Sequence, residues 1–142
     1  TKNLNRETAD HSIPYAIGAA VVHGDVSPRE FKQDRLSDER IHRLMSRVSV
    51  EADSELTQFR AENPGSIPST VYVTANGERY QARTEYPIGH SHRPMSQARL
   101  EKKARKQAEP FLTPEAVDTL FERCYSLSSL EDLSLLIEPM TV

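Results

Sequence analysis

A long apolar stretch near the start of the chain constrains the fold more than any other part of the sequence. The segment ETADHSIPYAIGAAVVHG, residues 7–24, passes from a polar cluster into residues 13–22, which leave no polar face on a helix. A helix that is apolar all round is typical of one buried on every side. Gly24 stands just past His23, where a glycine commonly ends a helix. We therefore expect a fully buried helix that ends at His23.

Three polar residues, Asp10, His11 and Ser12, stand where this helix would begin. Serine and aspartate are preferred N-cap residues, and the free N–H groups and macrodipole of a helix N-terminus favour an anion. We therefore expect this place to suit a bound carboxylate. Tyr15, in the first turn, would bring a phenol to the same buried position. A purely structural explanation stays open, in which His11 only caps the helix and Tyr15 only packs.

Asn76 and Gly77 mark the clearest turn in the sequence. They separate two runs of alternating residues, 71–75 and 78–86, and Asn-Gly is the pair that best holds the positive φ angles of a type I′ hairpin. Along the second run, tyrosine, alanine and threonine alternate with charged and amide side chains. The pattern predicts an antiparallel hairpin with one face in the core and the other in solvent.

Caps and apolar periods predict helices on both sides of this hairpin. Residues 48–52 alternate instead and predict a short strand. Ser128 with Glu131 has the spacing of a capping box, which would open a last helix rich in leucine. The fold class is therefore α+β, with a buried N-terminal helix, a small, largely antiparallel sheet and C-terminal helices. The predicted N-caps of the later helices are Ser37, Ser96, Thr113 and Ser128.

Composition is that of an ordinary soluble domain. The 142 residues are 37% hydrophobic and 27% charged, and they can form one good core. A formal charge of -3 and a pI near 5.9 argue against a general polyanion binder. Cys124 is the single cysteine, so a reducing cytoplasm is the expected compartment, and no apolar run approaches a membrane span. Because a buried helix follows so soon after Thr1, we expect a piece of a longer polypeptide.

Three other features could indicate a functional site, but we favour a structural explanation for each. His90 and His92 have no cysteine or carboxylate pair at ligand spacing beside them, so we expect no metal. Cys124 lies on an apolar stripe and is expected in the core rather than as a nucleophile. A basic run is expected to be the exposed side of an amphipathic helix, with Leu100 on its buried side. Its members are Arg99, Lys102, Lys103, Arg105 and Lys106.

Two separated motifs resemble the MmgE/PrpD family. The first is residues 8–15, TADHSIPY, followed by the small-residue helix and Gly24. The second comprises the hairpin ending in Tyr86 and Pro87, then Gly89-His90, residues 94–96 and the closing helices. Their order and spacing are similar to the C-terminal end of that family, chiefly its smaller lid domain. The resemblance covers essentially the whole chain and implies one C-terminal domain over residues 1–142.

The resemblance implies a lyase that needs neither metal nor organic cofactor. Family members act on small di- and tricarboxylates, and the wording of the first motif favours a 2-methylcitrate dehydratase-like activity in propionate catabolism. A cis-aconitate decarboxylase-like or epimerase activity is the alternative within the family. Tyr15 matches a tyrosine of the active-site cleft, where it would be catalytic, and His11 and Ser12 are candidates for binding substrate. Ile88 stands where a basic residue would be expected, which weakens any substrate contact by its loop.

The resemblance also implies partners that the chain does not contain. A larger N-terminal helical domain of the same enzyme would supply the remaining acid, base and lysine groups, and residues 113–138 would pack on it. A homodimer is expected, and the chain alone is expected to be inactive. No contact with nucleic acid or membrane is implied. The competing class is a non-catalytic binding domain, which predicts a self-sufficient monomer with a solvated Tyr15.

Overall fold

The fold was obtained as a computed structural model that describes residues 4–140. The chain divides into two compact units, Thr1–Thr57 and Gln58–Val142. The first is helical, and the second combines a two-stranded antiparallel sheet with helices. The α+β class predicted from the sequence is therefore confirmed. None of the described helices is both long and apolar enough to cross a bilayer.

The first unit is built around the apolar helix predicted from the sequence. This helix, α2, begins behind Ser12, whose Oγ accepts the Tyr15 N–H at 3.3 Å. It ends at Gly24, which has a φ of 74°, as predicted. The helices of this part are α1 (Arg6–Asp10), α2 (Ile13–His23), α3 (Gln33–Leu36) and α4 (Glu39–Met45), with a 3-10 turn at Pro28–Phe31. Helix α5 (Ser54–Glu62) crosses the boundary between the two units at Thr57.

The buried side chains of the first unit form one cluster around α2. Its members are Ala9, Tyr15, Ala19, Leu36, Ile41 and Met45, with Leu4, Val22 and Phe31 packed against them. The expectation that α2 is buried on every side is wrong for this structure, because Ile13 and Val21 are 55% and 58% exposed. The neighbouring helices α1 and α4 cover one face of α2, and the other face stays open.

Two local predictions in the first unit are also wrong. Asp38, and not Ser37, caps α4, because its Oδ1 accepts the Arg40 N–H at 2.9 Å. Residues 48–52 form no strand. The Val48 N–H still bonds the Met45 carbonyl at the end of α4, and Asp53 already accepts N–H groups at the start of α5. Alternation alone does not produce a strand where no other strand pairs with it.

The hairpin of the second unit forms as predicted. Strands β1 (Ser69–Ala75) and β2 (Glu78–Thr84) are antiparallel, and Val73 lies opposite Tyr80. Asn76 and Gly77 have φ angles of 53° and 81°, which is the left-handed turn expected of Asn-Gly. The prediction of one buried face is wrong, because Val73 and Tyr80 are both exposed. A two-stranded sheet has a core face only where another element packs over it.

The helices after the hairpin are only partly as predicted. Ser96 and Thr113 cap helices as expected, but Leu100 and Cys124 are exposed rather than in the core. The capping box at Ser128 does not form: the last short helix begins after Leu133, and Asp132 accepts the Ser134 N–H. The elements are α6 (Gln97–Ala108), α7 (Pro114–Tyr125) and α8 (Ser134–Ile137), with 3-10 turns at Leu127–Ser129 and Glu138–Met140.

Candidate active site

The Tyr15 side chain, the main site residue predicted from the sequence, lies completely inside the first unit. Its solvent exposure is 0%, and its ring centroid is 5.7 Å from that of Phe31. Its hydroxyl donates to the backbone carbonyl of Glu30 across 2.5 Å. The phenol is therefore buried, as expected, and its single proton is directed at a main-chain oxygen.

The surroundings of Tyr15 keep its hydroxyl protonated. Burial is the main cause that raises the pKa of this phenol, and the negative charges of Glu30 and Asp38 raise it further, while Arg35 opposes them. A group with a raised pKa of this kind donates hydrogen bonds at neutral pH and is a poor general base. Tyr15 is thus chemically suited to donate a hydrogen bond.

The two other predicted site residues flank the start of α2. Ser12 is half-buried, and its Oγ is already bound to the Tyr15 N–H, while His11 is exposed just after α1. Pro14 has no N–H to offer. Two of the first three amides of α2 are therefore not available to an anion, which makes this helix end a weaker carboxylate site than the sequence predicts.

Sequence reasoning missed a cluster of charged side chains next to Tyr15. His23 Nδ1 lies 2.5 Å from Glu30 Oε2, and its Nε2 lies 3.2 Å from Asp38 Oδ2. Arg35 and Arg40 approach the same Nε2 at 3.3 Å and 3.4 Å. The imidazole thus stands between two carboxylates and two guanidinium groups. These five side chains are called the His23 cluster below.

Asp38 is the anchor of this cluster on α4. Its Oδ2 is 2.7 Å from Arg40 Nη2 and its Oδ1 accepts the Arg40 N–H, so hydrogen bonds from Arg40 hold the pKa of Asp38 well below its usual range. Asp38 therefore stays ionised through any physiological pH. The one sequence signal for the cluster was a histidine in the last turn of α2, since its partners lie on later elements.

The second unit holds the histidines that were considered as metal ligands. Tyr86 stacks on both His90 and His92, with ring centroids 4.8 Å and 4.6 Å away. The His90 Nδ1 accepts the His92 N–H at 3.1 Å. Among residues 4–140, no group of three or more His, Cys, Asp and Glu side chains is placed to hold a metal ion. The loop is thus organised by ring stacking, and Ile88 beside it is exposed.

The match of most of the chain to a known domain shows its family. Residues 1–127 match the MmgE/PrpD C-terminal domain, so the chain belongs to the MmgE/PrpD family. The family resemblance inferred from the two separated motifs is thereby confirmed.

Two curated relatives are similar over most of this chain. Cis-aconitate decarboxylase of Homo sapiens is 26% identical over 140 residues, which cover 94% of this chain and 27% of that protein. Cis-aconitate decarboxylase of Mus musculus is 26% identical over 133 residues, which cover 90% of this chain and 26% of that protein. The chain therefore spans about a quarter of the length of the curated relatives it matches.

Proposed function

We propose that the chain is the C-terminal domain of a lyase that acts on a small di- or tricarboxylate without a metal or organic cofactor. The observation that carries the proposal is the match of residues 1–127 to the MmgE/PrpD C-terminal domain. The complete enzyme eliminates water from 2-methylcitrate: a base takes a proton from carbon, the neighbouring C–O bond breaks, and a C=C bond forms. Such a reaction needs an acid at the leaving oxygen and donors at the carboxylates.

In this proposal Tyr15 is the group that the chain contributes to catalysis. Its hydroxyl is protonated and belongs to a residue in the first turn of α2, which supports a role as donor to a substrate carboxylate or as the group that carries a proton. His11 and Ser12 bind substrate carboxylate at the same helix end. Because the Tyr15 proton points at the Glu30 carbonyl in the present structure, substrate binding turns it towards the ligand. The charge of a carboxylate makes it a stronger acceptor than a carbonyl.

The base and the remaining donors belong to an N-terminal helical domain of the same polypeptide, and the working enzyme is a cytoplasmic homodimer. The open face of α2 with Ile13 and Val21 supports a missing neighbour, because apolar side chains on a catalytic scaffold are normally covered. Under this proposal residues 1–142 act as a single lid domain whose last helices pack on the helical one.

Decarboxylation of cis-aconitate is the second candidate reaction. The names of both relatives favour it. In that reaction a C–C bond breaks and carbon dioxide leaves. A proton is then added to the carbon atom that carried the lost carboxylate. The two reactions share a tricarboxylate and a proton donor, so the same Tyr15 hydroxyl would serve either one.

The full-length enzyme tests the proposal. We expect turnover of 2-methylcitrate, measured as formation of the unsaturated product, and a loss of about 10²-fold in kcat for Tyr15→Phe. Tyr80→Phe is the matched control, because Tyr80 is exposed on β2 and its hydroxyl bonds Glu78. Release of carbon dioxide from cis-aconitate without dehydration would instead favour the second candidate. No turnover of either acid, or unchanged kcat in Tyr15→Phe, would contradict the assignment.

A further inference from the structure

We propose that His23 is a positioning residue that sets the Tyr15 hydroxyl through Glu30. The inference rests on the proposed function, because it concerns the group assigned there as the proton donor. His23 does not touch Tyr15. It acts through one residue of the 3-10 turn Pro28–Phe31 that both side chains contact.

Glu30 contacts α2 at two points. Its carboxylate Oε2 lies 2.5 Å from His23 Nδ1, at the last residue of the helix. Its backbone carbonyl accepts the hydroxyl of Tyr15, a residue of the first turn, across 2.5 Å. The side chain of Glu30 therefore fixes the position of the same residue whose main-chain oxygen orients the phenol.

The His23 ring is itself held from the far side. Its Nε2 faces Asp38 Oδ2 at 3.2 Å, and Asp38 is fixed at the start of α4 by its bonds to Arg40. Arg35, from α3, approaches the same nitrogen at 3.3 Å. Contacts with two later elements, α3 and α4, thus hold the imidazole, which leaves Glu30 with a rigid partner rather than a mobile one.

Burial makes this partner necessary. Glu30 is 5% exposed and the His23 side chain 9%, so the carboxylate has little access to water. A buried carboxylate without a partner is costly, and the chain around it moves to reach solvent. Without His23, the 3-10 turn therefore shifts, and the Glu30 carbonyl and the Tyr15 hydroxyl shift with it. Displacement of a reacting group by about 1 Å costs up to 10²-fold in rate.

The test compares three histidine variants in the full-length enzyme. His23→Ala removes both ring contacts, and His23→Asn keeps an amide donor near the Nδ1 position for Glu30. His42→Gln is the matched control: His42 is also half-buried in the first unit, but its Nε2 bonds the Leu36 carbonyl and not Glu30. Each variant is assayed for kcat and KM.

A second readout follows the hydroxyl itself. Tyrosines are labelled with ¹³C at Cζ, and the Tyr15 resonance is assigned by its loss in Tyr15→Phe. We expect the resonance to shift in His23→Ala, with kcat about tenfold lower and KM within about twofold. His23→Asn should recover part of both effects, whereas His42→Gln should change neither. A merely stabilising role of His23 would lower the melting temperature of the two His23 variants and leave the Tyr15 resonance in place.

An unshifted Tyr15 resonance in folded His23→Ala, or no recovery in His23→Asn, would overturn the proposal. If His23→Ala does not fold, the comparison of His23→Asn with wild type decides the question. The partial recovery expected there leaves a smaller shift of the Tyr15 resonance, and an unshifted resonance together with an unchanged kcat would refute the proposal. Failure of the proposed function looks different. In that case Tyr15→Phe keeps the full kcat, while the Tyr15 resonance still shifts in His23→Ala. His23 would then position the Tyr15 hydroxyl, but the hydroxyl would have no role in catalysis.

Discussion

Gly18 of α2 lies directly against Ile41 of α4. A Cβ atom on Gly18 would stand 3.1 Å from Ile41 Cγ2 and 3.2 Å from the Ile41 carbonyl oxygen. Both distances are shorter than nearly all real Cβ contacts, and one neighbour is backbone that cannot rotate away. The two helices therefore meet at a point where a methyl group on residue 18 fits only if Ile41 gives way by a few tenths of an ångström. This contact sets the distance between α2 and α4.

Gly18→Ala is expected to destabilise the chain despite the better helix propensity of alanine. Alanine stabilises a helix interior by about 1 kcal/mol relative to glycine. Forcing α2 and α4 apart costs about 1–3 kcal/mol, which is the larger effect. Urea unfolding followed by circular dichroism measures the change in the free energy of unfolding. Ala20→Gly, at an exposed position on the same helix, calibrates the propensity alone. A larger free energy of unfolding in Gly18→Ala than in wild type would show that the contact between Gly18 and Ile41 leaves room for a methyl group.

Asp38→Asn is expected to lower the melting temperature at neutral pH but not in acid. Folding lowers the pKa of Asp38 from its ordinary 3.8, so its stabilising contribution is present above that value. The contribution is lost as the pH falls from 3.8 towards the folded pKa. The difference in melting temperature between wild type and variant should therefore shrink below about pH 4. Asp34→Asn is the control, since Asp34 is exposed. A difference that stays constant from pH 7 to pH 3 would refute the prediction.

Gly77→Ala is expected to loosen the hairpin. Gly77 has a φ of 81°, which alanine adopts only with strain of about 1 kcal/mol, although nothing crowds the added methyl group. Cross-strand NOEs between Val73 and Tyr80 should weaken, while the first unit keeps its spectrum. Gln81→Ala, on an exposed strand position, should leave these NOEs intact. Unchanged NOEs in Gly77→Ala would mean that the turn does not determine the pairing.

The 142-residue chain alone is expected to show no turnover of 2-methylcitrate or cis-aconitate. It carries one candidate proton donor, whereas proximity of several groups supplies much of the rate in such reactions. We also expect it to self-associate or to bind a hydrophobic dye, because Ile13 and Val21 are exposed on α2. Light scattering and dye fluorescence measure this. Measurable dehydration, or a dye-silent monomer, would argue against a domain that needs a partner.

Several features decided within a few residues could be predicted from the sequence, although the caps expected at Ser37 and Ser128 do not form. The caps at Ser12 and Thr113 and the turn at Asn76 depend on local hydrogen bonds and backbone angles, and all three are present. The strand at 48–52 failed because a strand depends on a partner that local alternation does not provide. The apolar pattern of α2 likewise shows which side chains are hydrophobic. It does not show which other elements cover them.

The site was predictable only in part, for the same reason. Tyr15 could be placed at the start of α2 from the motif alone, and its burial followed from the small apolar residues around it. Its acceptor could not be found, because Glu30 is 15 positions away and comes close only after the chain turns at Gly24. The contact of His23 with Asp38 spans another 15 positions. Such pairs depend on the path of the loops between them.

The uneven placement of buried side chains has a consequence for how the molecule opens. All but one of the buried apolar residues among those described lie in the first unit, and the exception is Val117. Amide hydrogens exchange fastest where few apolar contacts hold the backbone in place, because local unfolding costs least there. In deuterated water, the amides of α2 and α4 should thus exchange last, and those of β1 and β2 should exchange first. Cleavage by a nonspecific protease should follow the same order, leaving the helices around Tyr15 as the resistant fragment.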